Sequence, residues 1–177
     1  MATDRVTDPD DEENAMSEHD DGTQKVADLI KDIRIAMLTH ADSNGVLVSH
    51  PMATQEVQFD GDVLFVAERD SHKARDIAAQ SPARVNVAYS SSSSWVSLSG
   101  TATIVDDPAK LAELWNSFTG AWLEGGPENP NNILIKVSAE SAEYWDSPGA
   151  KVTQIANFIK AKVTGERIEG DNEVVDL

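Results

Sequence analysis

Apolar positions change their spacing several times along the chain, and each change marks an element. Val26, Leu29, Ile30 and Ile33 recur at i, i+3, i+4 and i+7, the stripe of an amphipathic helix. From residue 34 the period shortens to two. Segments 34–40 and 46–53 flank Asp42-Ser43-Asn44-Gly45, whose Asn-Gly pair favours the positive φ of a tight hairpin turn. Asp60-Gly61 repeats the signal between 55–59 and 62–67, so four strands in meander order are expected. Helical spacing returns over 72–80, where Ala74, Ile77 and Ala78 share a face and Ser81-Pro82 stops the run. Strand 83–89 follows. The most regular alternation is 95–105: Val96, Leu98, Gly100, Ala102 and Ile104 lie on one face, Ser97, Ser99, Thr101 and Thr103 on the other. Asp107-Pro108 opens a further helix as N-cap and first-turn proline, with Leu111, Leu114, Trp115 and Phe118 as its stripe. A Gly/Pro/Asn-rich loop, 124–132, leads to strand 133–138 and a short last strand near 142–146.

About seven strands with two or three small helices are implied, in an order that does not alternate strand with helix as a parallel sheet would. The fold class is mainly β with small helices (β+α), an antiparallel barrel, closed or split, with helices over its ends. The 177 residues suit one domain, and the absence of cysteine excludes disulfides, thiolate metal sites and thiol catalysis. The formal net charge is -17. Nine acids and one base fall in residues 1–22, and five acids and one base in 165–177, so twelve of the seventeen negative charges belong to the two ends. The expected organisation is an acidic disordered tail over 1–22, a mildly acidic domain over 23–164 and an acidic C-terminal tail over 165–177. Nothing in it favours nucleic acid or a membrane, and a cytoplasmic location is expected.

Candidate chemistry is sparse. His19, His40, His50 and His72 are scattered without ligand spacing, so no metal site is expected, and no glycine-flanked nucleophile is present. Asp70-Ser71-His72-Lys73 sits where a strand end meets a helix start. Unpaired N–H groups, the Ser71 hydroxyl and the Lys73 charge together suit a phosphate there, although an ordinary N-cap followed by a solvated lysine uses the same residues. Ser49-His50-Pro51-Met52 places a proline in a strand, which leaves backbone groups free either at a protected edge or for a planar, hydrogen-bonding ring. Trp122 and Trp145 fall at a loop and a strand end, where an aromatic covers a ligand or packs at a subunit interface.

In this order and spacing the segments resemble the flavin-binding split barrel of the pyridoxamine 5'-phosphate oxidase superfamily, and within it the short bacterial general stress protein group. The residues that carry the likeness are Ile35-Ala36-Met37-Leu38-Thr39, His50-Pro51-Met52-Ala53-Thr54-Gln55, Asp70-Ser71-His72-Lys73, Trp95 through Ala102, Leu114-Trp115 and Glu143 through Gly149. The resemblance implies a homodimer with FMN at the subunit interface. It implies that Ser49, His50, Pro51, Met52 and Ala53 run along the isoalloxazine ring, that Val66 and Ala67 add contacts, and that Ser71 and Lys73 hold the phosphate. Trp95 matches a flavin-contacting position, and Trp122 and Trp145 match aromatics supplied by the partner chain.

Two departures from the family pattern matter. His50 stands where an arginine commonly precedes the Pro-Met pair, which predicts weaker or pH-dependent anion affinity. Ala150-Lys151-Val152-Thr153-Gln154 stands where the true oxidases carry an Arg-Leu-His substrate segment, which argues against pyridoxamine phosphate oxidation. The implied function is a flavin-dependent oxidoreductase exchanging electrons with a small-molecule donor or acceptor; no side chain qualifies as a general acid or base, and no catalytic residue is named. Alternatives are a non-enzymatic flavin binder of the stress response, or a deazaflavin- or haem-binding split barrel.

Overall fold

The computed structural model describes residues 22–55, 59–146 and 171–177. The acidic segment before residue 22 and the Ser147–Gln154 stretch lie outside the described residues. Helix α1 (22–30) is followed by β1 (Ile35–Ala41), β2 (Leu47–Ala53), β3 (Asp62–Glu68), α2 (His72–Ala79), β4 (Ala83–Ser90) and β5 (Ser94–Val105). Helices α3 (Pro108–Leu114) and α4 (Ser117–Trp122), then β6 (Asn132–Asp146) and β7 (Asp171–Asp176), complete it.

All strands join one antiparallel sheet in the order β2-β1-β4-β5-β6-β3, with β7 also on β6. The two ends of that order, β2 and β3, come into contact without a ladder between them among the described residues. The sheet therefore curls into an antiparallel barrel, as the strand pattern predicted, and it is split along one seam, the form that the resemblance implied.

The alternation that defines the strands also sorts the core. Ala36, Leu38, Met52, Phe65, Val87, Leu98, Ile135 and Val137 are buried on the inner face. A second, smaller cluster lies outside the barrel, where Leu111 and Leu114 of α3 pack on Leu134, Leu64 and Val66. Burying such a side chain contributes about 1.5–3 kcal/mol.

Local expectations are corrected in four places. The second hairpin does not form as a meander: residues 54, 55 and 59 are not in strand, 56–58 lie outside the described residues, and β3 pairs with distant β6. Asp60-Gly61 is still a turn, with Gly61 at φ 99°, but it redirects the chain across the barrel instead of folding it back. The last two strands are one 15-residue strand, β6. Its register slips between Ser99 and Gly100, leaving Glu140 as the extra residue of a bulge. Before the bulge β6 pairs with β3 and after it with β7, so the bend lets one strand serve two neighbours. Finally, the helix opened by Asp107-Pro108 stops at Trp115, because the Asn116 side chain accepts from the Thr119 N–H at 2.9 Å and caps a new helix. Phe118 thus leaves the core stripe and is exposed. Residues 171–176, within the segment expected to be a tail, form β7, whose Glu173 carboxylate accepts from the Tyr144 hydroxyl at 2.7 Å.

Candidate functional site

The phase of the ladders decides what the seam offers. Asp42 N–H donates to the Val46 carbonyl at 2.8 Å and Thr54 N–H to the Arg34 carbonyl at 3.0 Å, so the even-numbered residues of β2 bond to β1. Ser49, Pro51 and Ala53 turn their backbone groups the other way, to the open edge. On the opposite side Ala139 N–H donates to Gly61 and Arg69 N–H to Asn131, so the odd-numbered residues of β3 bond to β6. Leu64, Val66 and Glu68 face the open edge. Pro51 fits this arrangement because its missing N–H costs no ladder bond there.

Between the two edges lies a cavity of about 500 Å³, lined by Ile35, Pro51, Met52, Ala53, Gln55, Val66, Ala67, Glu68, Lys73, Phe118, Thr119, Trp122 and Leu123. Segments far apart in sequence meet here: two strand edges, the first turn of α2 and all of one face of α4. The Phe118 and Trp122 rings meet edge to face at 6.3 Å and form one wall. Lys73 and Glu68 are its charged residues.

Of the residues expected from sequence, Pro51, Met52, Ala53, Val66, Ala67, Lys73 and Trp122 come together in this cavity. Trp122, expected from a partner chain, lines the cavity of its own chain. Ser71 instead caps α2: its hydroxyl donates to the Glu68 carbonyl at 2.6 Å and accepts from Ala74 N–H at 3.4 Å. Ser49 lies on the outer face, its hydroxyl 2.7 Å from that of Thr39. Trp95 and Trp145 are register partners on the outer face of β5 and β6, each partly exposed and away from the cavity. His50 points to the inner side of β2 and stacks on His40. Its pKa lies below the ordinary imidazole value, first because of burial, then through His40 and Lys73.

Ile35, Gln55, Glu68, Phe118, Thr119 and Leu123 also line the cavity and were not expected as site residues from sequence. Phe118 and Trp122 stand four residues apart, one helical turn, and that spacing was the available signal once Asn116 is read as an N-cap. No group of three or more metal-ligating side chains is present among the described residues. No helix among them is long and apolar enough to cross a membrane.

The pattern that defines the pyridoxamine 5'-phosphate oxidase like family matches residues 21–169. The chain belongs to that family. Among curated proteins it is 30% identical to protein bli-3 of Neurospora crassa, over 81% of this chain and 75% of that one. Among solved structures it is similar to a protein assigned as general stress protein 26 from Jannaschia sp., with a TM-score of 0.74 and 25% identity over 89% of this chain and 99% of that one. It is also similar to the general stress FMN/FAD binding protein of Xanthomonas citri, with a TM-score of 0.62 and 28% identity over 74% of this chain and 92% of that one. The split barrel and the general stress protein likeness expected from sequence both stand.

Proposed function

We propose that the protein is an FMN-binding split-barrel flavoprotein of the general stress type, with oxidoreductase potential and without true pyridoxamine phosphate oxidase activity. The observation that carries this is the seam: two unpaired strand edges flank a cavity whose apolar walls end at Lys73. A flavin ring is planar and carries donors and acceptors along its pyrimidine edge, which suits backbone groups that have no strand to pair with. The residues present therefore fit the group. Ala53 N–H, the Pro51 C=O and the Val66 backbone would meet the ring, Trp122 and Phe118 would cover it, and Lys73 would hold the phosphate. FMN, when bound, would supply hydride and electron transfer. The protein's part is to hold, orient and shield it.

The same reading takes the active form to be a homodimer. Ile35, Met37, Trp95 and Trp145 are exposed on the outer sheet face, and Ile35 also lines the cavity, so that face and the proposed site are continuous. Exposed apolar groups on a serine-rich sheet face suit a second copy of the same chain. Light scattering should give twice the mass of one chain, and a monomer would oppose the dimer.

The absorption spectrum of the purified protein tests the cofactor. Flavin bands with the chromophore released on denaturation, and identified as FMN by its phosphate, would support the proposal. A haem band, a deazaflavin band or no chromophore uptake on adding FMN would contradict it. Rapid-mixing bleaching by NADH or NADPH then separates an enzyme from a passive flavin binder.

A further inference from the structure

The seam does not end where the proposed flavin cavity ends. Past Ala53 on one side and ahead of Val66 on the other, its edges continue as Thr54 and Gln55 and as Asp62, Val63 and Leu64, and these residues line a second cavity of about 280 Å³. Gln55 lines both cavities, so they are successive lengths of one cleft. Helix α1 closes the second length with Ala27 and Ile30, and Phe59 and Tyr89 complete its apolar wall. Tyr89 reaches it from β4. It pairs with Ala36 of β1, and Ala36 pairs with Met52 of β2, so one rung of buried side chains runs from the wall of the first cavity to Tyr89. Two strand spacings, about 10 Å, separate the ends of that rung.

The polar groups of this second cavity decide what it can hold. Its charged residues are paired: Lys31 Nζ lies 2.9 Å from Asp28, and Asp62 lies 2.6 Å from Lys136 Nζ and accepts from the Ser138 hydroxyl at 2.8 Å. The Thr54 hydroxyl donates to the Ile33 carbonyl at 2.6 Å. Tyr89 differs. It is 3% exposed, and its hydroxyl has no hydrogen-bond partner among the described residues. Burial raises its pKa well above the ordinary phenol value, so the hydroxyl keeps its proton and is a donor without an acceptor. Buried polar groups are nearly always paired, so a free phenol donor in a cavity wall asks for an acceptor inside the cavity. The Gln55 amide is also lightly used, reaching only the Ala53 carbonyl at 3.5 Å.

A cleft with apolar walls, no unpaired charge and one free donor suits an uncharged molecule that offers one acceptor. A dry cavity of about 150 Å³ holds benzene, so 280 Å³ admits a molecule of about two fused rings. We propose that this second compartment binds a small uncharged ring compound with one carbonyl oxygen, which accepts from the Tyr89 hydroxyl while the rings pack on Ile30, Phe59 and Val63. The site goes beyond the flavin reading and does not depend on it, since Gln55 alone of its described walls belongs to the first cavity. It sets a second ligand end to end with whatever the first cavity holds, with Gln55 at the boundary.

The test uses the full chain and two probes of one shape: α-tetralone, a bicyclic ketone, and tetralin, the hydrocarbon that lacks its oxygen. Binding is followed by amide NMR, first without FMN and then with it. α-Tetralone should bind several-fold more tightly than tetralin and shift the amide signals of Thr54, Val63 and Tyr89. Tyr89→Phe removes one oxygen and keeps the ring, so it should weaken α-tetralone binding about three- to tenfold and leave tetralin unchanged. A packing role for Tyr89 would move both probes alike. Ala27→Leu, which fills the compartment from α1, should abolish binding of both probes while FMN binding stays at the wild-type level. Equal affinity for the two probes, no binding of either, as in a cavity that holds only water, or a Tyr89→Phe variant with wild-type ketone affinity would overturn the compartment and leave the flavin reading intact. A chain that binds α-tetralone through Tyr89 and takes up no flavin would end the flavin reading and keep the compartment.

Discussion

The two sides of the barrel are built from similar strands and yet do opposite things. Along β4, β5 and β6 every strand has a partner on both sides, and the approach is so close that a Cβ on Gly100 would sit 2.1 Å from the Ser138 carbonyl oxygen. Along β2 and β3 each strand has one partner among the described residues, and the odd residues of one and the even residues of the other turn backbone groups that no strand pairs to a cavity. Both sides turn large apolar side chains inward, Met52 and Phe65 on one and Val87, Leu98 and Ile135 on the other. What separates scaffold from the proposed site in this fold is therefore hydrogen-bond pairing, not hydrophobicity: the same backbone groups stabilise the barrel where a strand answers them and are open to the proposed ligand where none does.

That contrast can be broken from the scaffold side first. Gly100→Ala drives a methyl group into the backbone of Ser138 and Ala139, neither of which can yield alone, and should cost about 3 kcal/mol or more of unfolding free energy in urea. Met52→Pro and Ala53→Pro then compare the two sides within adjacent residues. Met52 is buried and its N–H belongs to the ladder with β1, so its replacement should cost roughly 3–5 kcal/mol. Ala53 turns its N–H to the seam; its replacement should cost about 1 kcal/mol of stability while weakening FMN binding about three- to tenfold. Equal stability losses in the two variants would contradict the assigned ladder phase. Lys73→Ala, a change in the cavity that touches no ladder, should weaken FMN binding by about 1.5–3 kcal/mol with little effect on the melting temperature. Unchanged affinity would remove its phosphate role.

The smallest effect concerns pH. Burial holds the folded His50 ring below its ordinary value, so the unfolded chain binds a proton that the folded chain refuses. Stability is then complete above the ordinary imidazole range and declines as pH falls from it towards the lower folded value. Without phosphate or FMN, His50→Gln should flatten that part of the melting profile by about 1–3 °C, and an identical profile would show that His50 titrates freely.

Much of this was legible in the sequence because period and turn chemistry are local. The alternation of 95–105, the Asn44-Gly45 turn with Asp42 accepting from Asn44 and Val46 N–H at 2.8 and 2.9 Å, and the Ser81-Pro82 stop each act over a few residues. Pairing is not local. Asp60-Gly61 marks a turn equally well whether the chain folds back or crosses to β6, and only the burial of β3 against β6 decides. The site divides in the same way. Pro51 was legible because proline is rare inside a strand, and Lys73 because it stands at a helix start; both line the cavity. His40 looked like one of several isolated histidines, because its stacking contact comes from standing diagonally across a ladder from His50. Ser71 shows the limit of position alone: the sequence offered both a phosphate ligand and a helix cap, and in the fold its hydroxyl is engaged as the cap.

The central claim is that the unpaired seam between β2 and β3 holds the flavin. Amide hydrogen exchange at individual residues, measured on the full chain with and without FMN, addresses it directly. FMN should slow exchange at Ala53 and Val66, whose N–H groups face the seam, and leave their ladder-bonded neighbours Met52 and Ala67 at the rates set by the barrel itself. Saturating FMN with no added protection at Ala53 and Val66, or with protection centred on another part of the molecule, would contradict the account.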